Sequence, residues 1–281
     1  MTAPPAPRAQ RRAIVTGAGP GSIGRAVADA LVADRWDVVV TTRTERPESH
    51  AWHPLDLADR SSVAAFAQWY AERSDCFDLL VNSAGVHLDL GSRWRTPQLV
   101  DGHEIHWRTN YLGTVQLTAA LLPALLRSPA PCVLHVVSQL HERGTTDQLL
   151  GQPVRYDSWA SYGTSKLGLV HHAALLAQRY GDRGLRALSV HPGAVSTNIA
   201  NRGLETRPLL RRLRNLGRPL ERRMLMSPAA SATHLVRLAT DPDAESGYYH
   251  KGRRAAPSAA AEDLQARATL AAVTEEWLAA R

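Results

Sequence analysis

A short β-branched run, Arg12–Thr16, ends directly in Thr16-Gly17-Ala18-Gly19-Pro20-Gly21-Ser22-Ile23-Gly24, and that turn opens a helical stretch over Ser22–Ala33. Glycines let a backbone turn tightly and approach a pyrophosphate, while a helix N-terminus offers free N–H groups and positive potential. A glycine-rich turn is weak evidence by itself. Here the rest of the chain repeats the same alternation. Trp36–Thr42, Asp78–Asn82, Pro131–Ser138 and Leu185–His191 read as strands, with His50–Leu55 and Tyr248–His250 as shorter candidates. Ser61–Arg73, Leu99–Trp107, Asn110–Leu126, Trp159–Tyr180, Ser227–Thr240 and Ala260–Leu278 read as helices. The pattern predicts an α/β fold built on one doubly wound parallel sheet with helices on both faces.

Composition narrows the class. The chain of 281 residues is 44% hydrophobic, enough for one large core, and no repeat or linker suggests a second domain. Residues 1–11, rich in Pro, Ala and Arg, read as a disordered lead rather than a signal peptide. Residues 12–251 carry the sheet, and 252–281 form a tail with a helix. Cys76 and Cys132 stand in no metal or redox spacing, and the apolar stretch Leu117–Leu126 is too short to span a bilayer. A reduced, cytoplasmic protein with no metal is expected. The net charge of +7 is local: residues 202–223 hold eight arginines against Glu205 and Glu221, supplying +6. Such a patch suits an anionic substrate or an acidic carrier, and its confinement argues against nucleic acid. A solvated arginine-rich face is the plainer alternative.

The end of the second strand bears on cofactor choice. A carboxylate there would take the ribose hydroxyls of NAD, whereas an arginine accommodates a 2′-phosphate. Thr41-Thr42-Arg43-Thr44 offers Arg43 and no carboxylate before Glu45, which favours NADP and leaves NAD as the alternative. Asp56-Leu57, after the third strand, is a candidate contact for the adenine, although an Asp at a helix start reads equally well.

Lysine appears only twice among 33 basic residues, and Lys166 stands four residues after Tyr162 in Ser161-Tyr162-Gly163-Thr164-Ser165-Lys166. On a helix the two share a face. A phenol beside an ammonium can serve as general acid or base. Further motifs follow in order: Asn82-Ser83-Ala84-Gly85 after the fourth strand, Asn110 in Asn-Tyr-Leu-Gly, Ser138 ending the fifth strand, and His191-Pro192-Gly193 after the sixth. From about Ala13 onward the chain resembles the short-chain dehydrogenases/reductases, enzymes on a Rossmann-type fold. Val137-Ser138-Gln139-Leu140-His141, the 23-residue gap between Ser138 and Tyr162, and Ser246-Gly247-Tyr248-Tyr249-His250 resemble the retinol-dehydrogenase-like branch.

The resemblance implies roles. Tyr162 exchanges a proton with the substrate oxygen, and Ser138 hydrogen-bonds that oxygen. Lys166 holds the nicotinamide ribose and lowers the Tyr162 pKa, and Asn110 holds a relay water. It also implies cofactor contacts at Gly17, Gly21, Ser22, Ile23, Gly24, Arg43, Asp56, Leu57, Asn82, Ala84, Gly85, Tyr162, Lys166, Pro192, Gly193, Val195 and Thr197. Two departures stand out: Gly21 and Gly24 are three apart with Ser22 inserted, and Ser83 replaces a second asparagine. His191, before Pro-Gly, reads as a turn residue. Residues 199–224, with leucines interleaved among the arginines, are expected to form a substrate lid, and Gln139, Leu140, Gln152 and Trp159 are candidate pocket walls. The function expected is an NADP(H)-dependent oxidoreductase interconverting a carbonyl and an alcohol on a mostly apolar small molecule. Alternatives are a same-fold epimerase, cyclase or dehydratase without net redox, and a nucleotide-sensing regulator. The helices beginning near Asn110 and Trp159 resemble those that pair in many family dimers, which allows a homo-oligomer.

Overall fold

The computed structural model describes residues 10–44, 50–89, 94–152, 155–195, 204, 209, 210, 212 and 225–280. Its main sheet is assembled from β1 (Arg12–Thr16), β2 (Asp37–Thr42), β3 (Ala51–Pro54), β4 (Leu79–Asn82), β7 (Cys132–Val136), β8 (Arg186–His191), β9 (Gly247–His250) and β10 (Arg253–Arg254). Their order is β10-β9-β8-β7-β4-β1-β2-β3. All neighbours are parallel except β10, which runs antiparallel to β9, so the sheet continues past Lys251. The order reverses between β1 and β4. A crevice opens beyond the carboxyl ends of strands at such a reversal, and ligands of open α/β sheets bind there.

Alternation along each strand explains why both faces are covered. Ala13, Val15, Val81, Leu134, Val136, Leu188 and Val190 point to one side and pack with α1 (Ile23–Ala33) and α6 (Pro228–Thr240) through Val27, Leu31, Leu235 and Leu238. Ile14, Leu80, Val133 and Ala187 point to the other and meet α2 (Arg60–Arg73), α3 (Gly113–Leu125) and α5 (Ser158–Tyr180) through Phe66, Leu117, Leu121, Ala173 and Leu176. Between β7 and α5 lies the short α4 (Thr146–Leu149). The tail forms α7 (Ala259–Glu262) and α8 (Leu264–Ala279), broken at Asp263, whose carboxylate accepts the Ala266 N–H. α8 lies against α5 and the turn that leads into α3: Tyr111 and Thr274 hydroxyls meet at 2.9 Å, and Arg179 pairs with Glu275. It therefore covers part of the helical face expected to pair between copies.

One expected element is absent. Leu99–Trp107 is not a helix: β5 (Leu99–Val100) and β6 (His103–Glu104) form an antiparallel hairpin. Asp101 and Gly102 between them both have positive φ, 56° and 75°. Two left-handed residues in sequence make the primed turn that closes a two-residue hairpin, and Asp-Gly is a preferred pair for it. A π-helical turn, Trp107–Leu112, then carries Asn110 into α3, with Gly113 N–H reaching back to Arg108 C=O. At Gly113 a Cβ would lie 2.0 Å from the Leu57 carbonyl oxygen, so only glycine lets the loop after β3 seat against this helix.

Candidate active site

The carboxyl ends of the strands enclose a cleft of about 1230 Å³. One end of it is the glycine turn. Gly17 (φ 70°) follows β1, and a Cβ there would fall 2.6 Å from Ala84 Cα, so the first turn and the loop after β4 can touch only through glycine. The Thr16 hydroxyl fastens the same two segments by accepting the Ser83 and Ala84 N–H groups at 3.1 and 3.0 Å. Gly21 is left-handed (φ 71°), and Ser22, the inserted residue, caps α1 by accepting the Arg25 N–H at 3.0 Å. Gly24 lets the helix lie on the strand, since a Cβ would sit 2.7 Å from Thr16 O. Gly17, Ser22 and Ile23 line the cleft; Gly21 and Gly24 shape the turn without lining it.

The side of the cleft expected to take adenine is lined by Thr41, Thr42, Arg43, Asp56 and Leu57. Arg43 is exposed at the rim. Asp56 is not a helix cap: its carboxylate accepts the Ala58 N–H at 2.9 Å, and Asp59 caps α2 by accepting the Ser61 N–H. The Leu57 carbonyl accepts Arg108 Nη1 at 2.8 Å, which pins this loop from behind.

At the other end, Ala84, Gly85, Ser138, Tyr162, Lys166, Pro192, Gly193 and Val195 line the cleft, while Thr197 lies outside the described residues. Ser138 leaves β7 at the head of a 3₁₀ turn (Gln139–Arg143). Tyr162 and Lys166 project from the first turns of α5, whose N-cap is Asp157. Gly163 permits that close seating, because a Cβ would meet Leu140 O at 2.4 Å. Lys166 Nζ donates to the Val136 carbonyl at 3.1 Å and stands 5.8 Å from the Tyr162 ring centroid.

Burial dominates the electrostatics. It pushes the Tyr162 phenol up to about 12, with the Ser138 hydroxyl opposing it, and pulls the Lys166 ammonium down to about 8. The expected lowering of Tyr162 by Lys166 is not seen: burial raises the phenol and the Ser138 hydroxyl alone opposes it. Burial favours the neutral phenol in this environment.

Two expected site residues have side chains committed to the scaffold. The Asn110 side chain is spent: Oδ1 accepts the Val86 N–H at 2.8 Å, and Nδ2 donates to Val86 O and Ser165 Oγ at 2.9 and 3.0 Å. It ties the loop after β4 to α5 beside Lys166; a Cβ on Gly85 would lie 3.3 Å from both Asn110 Oδ1 and Lys166 Nζ. Asn82 is buried behind the cleft, where Nδ2 donates to Thr118 Oγ1 and lies 3.2 Å from His135 Nδ1. Leu140 lines the cleft as expected; Gln139, Gln152 and Trp159 do not. His191 lines it and stacks on His250 at 4.7 Å.

Sequence reasoning missed His87, which lines the cleft and stacks on Tyr162, and the buried His106 beside it, 2.7 Å from the half-buried Glu104. Neither spacing nor motif marks them. Their partners are brought in by the hairpin and by α5.

The short chain dehydrogenase family model matches residues 11–207. The chain belongs to the short-chain dehydrogenase/reductase family. Among curated relatives, polyprenol dehydrogenase of Mus musculus is 35% identical over 263 residues, covering 85% of this chain and 74% of that protein. Retinol dehydrogenase 13 of Mus musculus is 31% identical over 271 residues, covering 89% and 78%. Relatives of these names put the chain in the retinol-dehydrogenase-like branch, as Ser138, Tyr162 and the gap between them suggested. A solved structure from Mycobacterium paratuberculosis superposes with a TM-score of 0.69 at 27% identity, covering 96% of this chain and 94% of that one. The sheet order and the glycine turn are those of a Rossmann-type oxidoreductase, and the family's cofactors are NAD(P).

Proposed function

We propose that the protein is an NADP(H)-dependent oxidoreductase that interconverts a carbonyl and an alcohol on a mostly apolar small molecule. The observation that carries this reading is the convergence of Ser138, Tyr162 and Lys166 at one end of a cleft whose other end is a glycine turn and the N-terminus of α1. The residues fit a dinucleotide: the cleft has the volume, Gly19 lines it with open space where a Cβ would stand, and the exposed Arg43 at its rim suits a 2′-phosphate. When bound, the nicotinamide supplies or accepts the hydride.

The chain's own residues handle the rest. Ser138 Oγ and Tyr162 Oη grip the substrate oxygen. Tyr162, a neutral phenol, gives that oxygen its proton in the reductive direction and takes one from the alcohol in the oxidative direction. Lys166 holds the ribose hydroxyls, and its charge favours the phenolate when Tyr162 has given up its proton. Asn110 acts through position. With its side chain committed to Val86 and Ser165, a relay water here is held by main-chain carbonyls of the π-turn, whose wider spacing departs from the α-helical bonding pattern.

Arg43, with no carboxylate among Thr41–Thr44, supports NADP over NAD; Glu45 lies outside the described residues. The relatives' names, a polyprenol and a retinol dehydrogenase, support an apolar alcohol or its carbonyl, as do Val86, Leu88, Ile105 and Leu140 along the cleft. Most of segment 199–224 also lies outside the described residues; Leu209 and Leu210 within it are exposed. We retain it as a lid whose arginines recruit an anionic substrate or acidic carrier. Arg211, Arg212 and Arg214 changed to Gln should raise KM at low salt, and an unchanged KM removes that role. No helix among the described residues is long and apolar enough to cross a membrane, which fits a cytoplasmic location. Because α8 covers part of α5 and the turn that leads into α3, a homo-oligomer would use another face or displace this helix. The reading is tested by following NADPH and NADH oxidation over aldehydes, ketones and quinones. Turnover with NADPH is expected, and tight NADPH binding with no carbonyl reduced would overturn it.

A further inference from the structure

His87 follows Val86 in the loop after β4, which lines the cleft, and belongs to no strand or helix. Its ring lies flat on the Tyr162 phenol, with centroids 4.0 Å apart and planes 7° apart. Trp159 and His106 stand nearly perpendicular to it, at 4.8 and 5.9 Å. The residue is 5% exposed and lines the cleft, and its Nε2 is buried without a hydrogen-bond partner.

The neighbouring His106 shows what a purely structural histidine looks like here. Its Nδ1 lies 2.7 Å from Glu104 Oε1, and its Nε2 accepts the Leu88 N–H at 2.9 Å, so both nitrogens are used. His87 differs. An imidazole nitrogen buried without a partner destabilises a fold, and a phenylalanine would cover Tyr162 equally well without that cost. The other side chains near it in the cleft, Val86, Leu88 and Ile105, are apolar. The unpaired nitrogen is thus a buried polar point in a residue that lines the cleft and lies flat on the Tyr162 phenol. Sites of this build discriminate strongly, because a ligand lacking the matching group leaves the buried polar atom unpaired.

We propose that His87 is a specificity-determining residue whose Nε2 pairs with a second oxygen of the substrate, borne on the carbon next to the reacting carbonyl or on the one after it. This rests on the redox reading above and narrows its substrate class to hydroxy- or oxo-substituted carbonyl compounds. The 4.0 Å stacking sets the reach: the reacting oxygen must meet Tyr162, so the second group is only a few bonds away.

The test compares acetophenone and octan-2-one with their α-hydroxy and β-hydroxy derivatives, using NADPH and the full-length wild type, His87→Phe and His87→Gln. His87→Phe keeps a ring on Tyr162, and dividing wild-type by variant kcat/KM cancels the intrinsic reactivity of each ketone. The expected result is a loss in His87→Phe at least about tenfold larger for one of the hydroxy ketones than for its unsubstituted parent, with partial rescue in His87→Gln. Equal losses for all ketones would make His87 a support for Tyr162, and equal losses with weakened NADPH binding, read by fluorescence titration, would make it a cofactor contact. Either result overturns the inference. So does a wild type that reduces plain ketones as well as their hydroxy derivatives. A wild type that turns over no carbonyl in the broader screen removes the redox reading itself.

Discussion

Replacing Lys166 with methionine should stabilise the cofactor-free protein near neutral pH while abolishing its proposed chemistry. Burial lowers the Lys166 pKa from 10.5 to about 8, so keeping the ammonium charged in the fold costs about 3 kcal/mol. Methionine fills a similar volume without charge. Its loss of the Nζ bond to Val136 O returns about 1 kcal/mol. The net gain is about 2 kcal/mol near pH 7, or roughly 4–8 °C in melting temperature. The pH dependence separates this from simple repacking. Because the cation's pKa is lowered on folding, the unfolded chain binds more protons between about pH 8 and 10.5. Wild-type stability therefore rises through that window, and the advantage of the variant closes by about pH 10. The assay is urea or thermal unfolding of wild type and Lys166→Met at both ends of the window. A variant no more stable than wild type near pH 7, or a gap that does not move with pH, refutes the argument that Lys166 is held charged against its environment.

Gly17→Ala should destabilise by about 2–5 kcal/mol, since it forces a left-handed backbone on alanine and drives a Cβ to 2.6 Å from Ala84 Cα; chemical denaturation measures it, and NADPH affinity should fall with it. Asn110→Ala should cost about 2–4 kcal/mol, because three hydrogen bonds in a buried site are lost and Val86 N–H and C=O are left unpaired. A loss of turnover with stability unchanged would instead give its side chain a direct part in the chemistry. Arg43→Gln should weaken NADPH binding at least about tenfold with little effect on NADH, read as the ratio of the two dissociation constants.

Parts of this molecule announce themselves locally, and parts do not. The strand ends, the glycine turn and the Tyr162–Lys166 spacing are local patterns, and each lies within a residue or two of its expected place. The hairpin at Leu99–Glu104, where a helix over Leu99–Trp107 is expected, is decided by the two-residue Asp101-Gly102 signal. Asn82 and Asn110 were visible, but their work was not, since it depends on partners such as Thr118 and Ser165 that only the fold brings near. His87 was invisible for the same reason. Nothing in its sequence neighbourhood marks a residue whose meaning comes from a ring 75 positions later. The balance of charges was also illegible, because the extent of burial decides whether a lysine lowers a tyrosine or both shift toward neutrality.

The most direct measurement of the central claim is Tyr162→Phe, assayed by NADPH oxidation with a carbonyl that the wild type reduces and by NADPH titration of the same preparation. If Tyr162 is the proton donor, kcat should fall by about 10²–10⁴ while the NADPH dissociation constant stays close to wild type. A variant that keeps wild-type turnover would contradict the account, since no proton would then need to pass through the phenol.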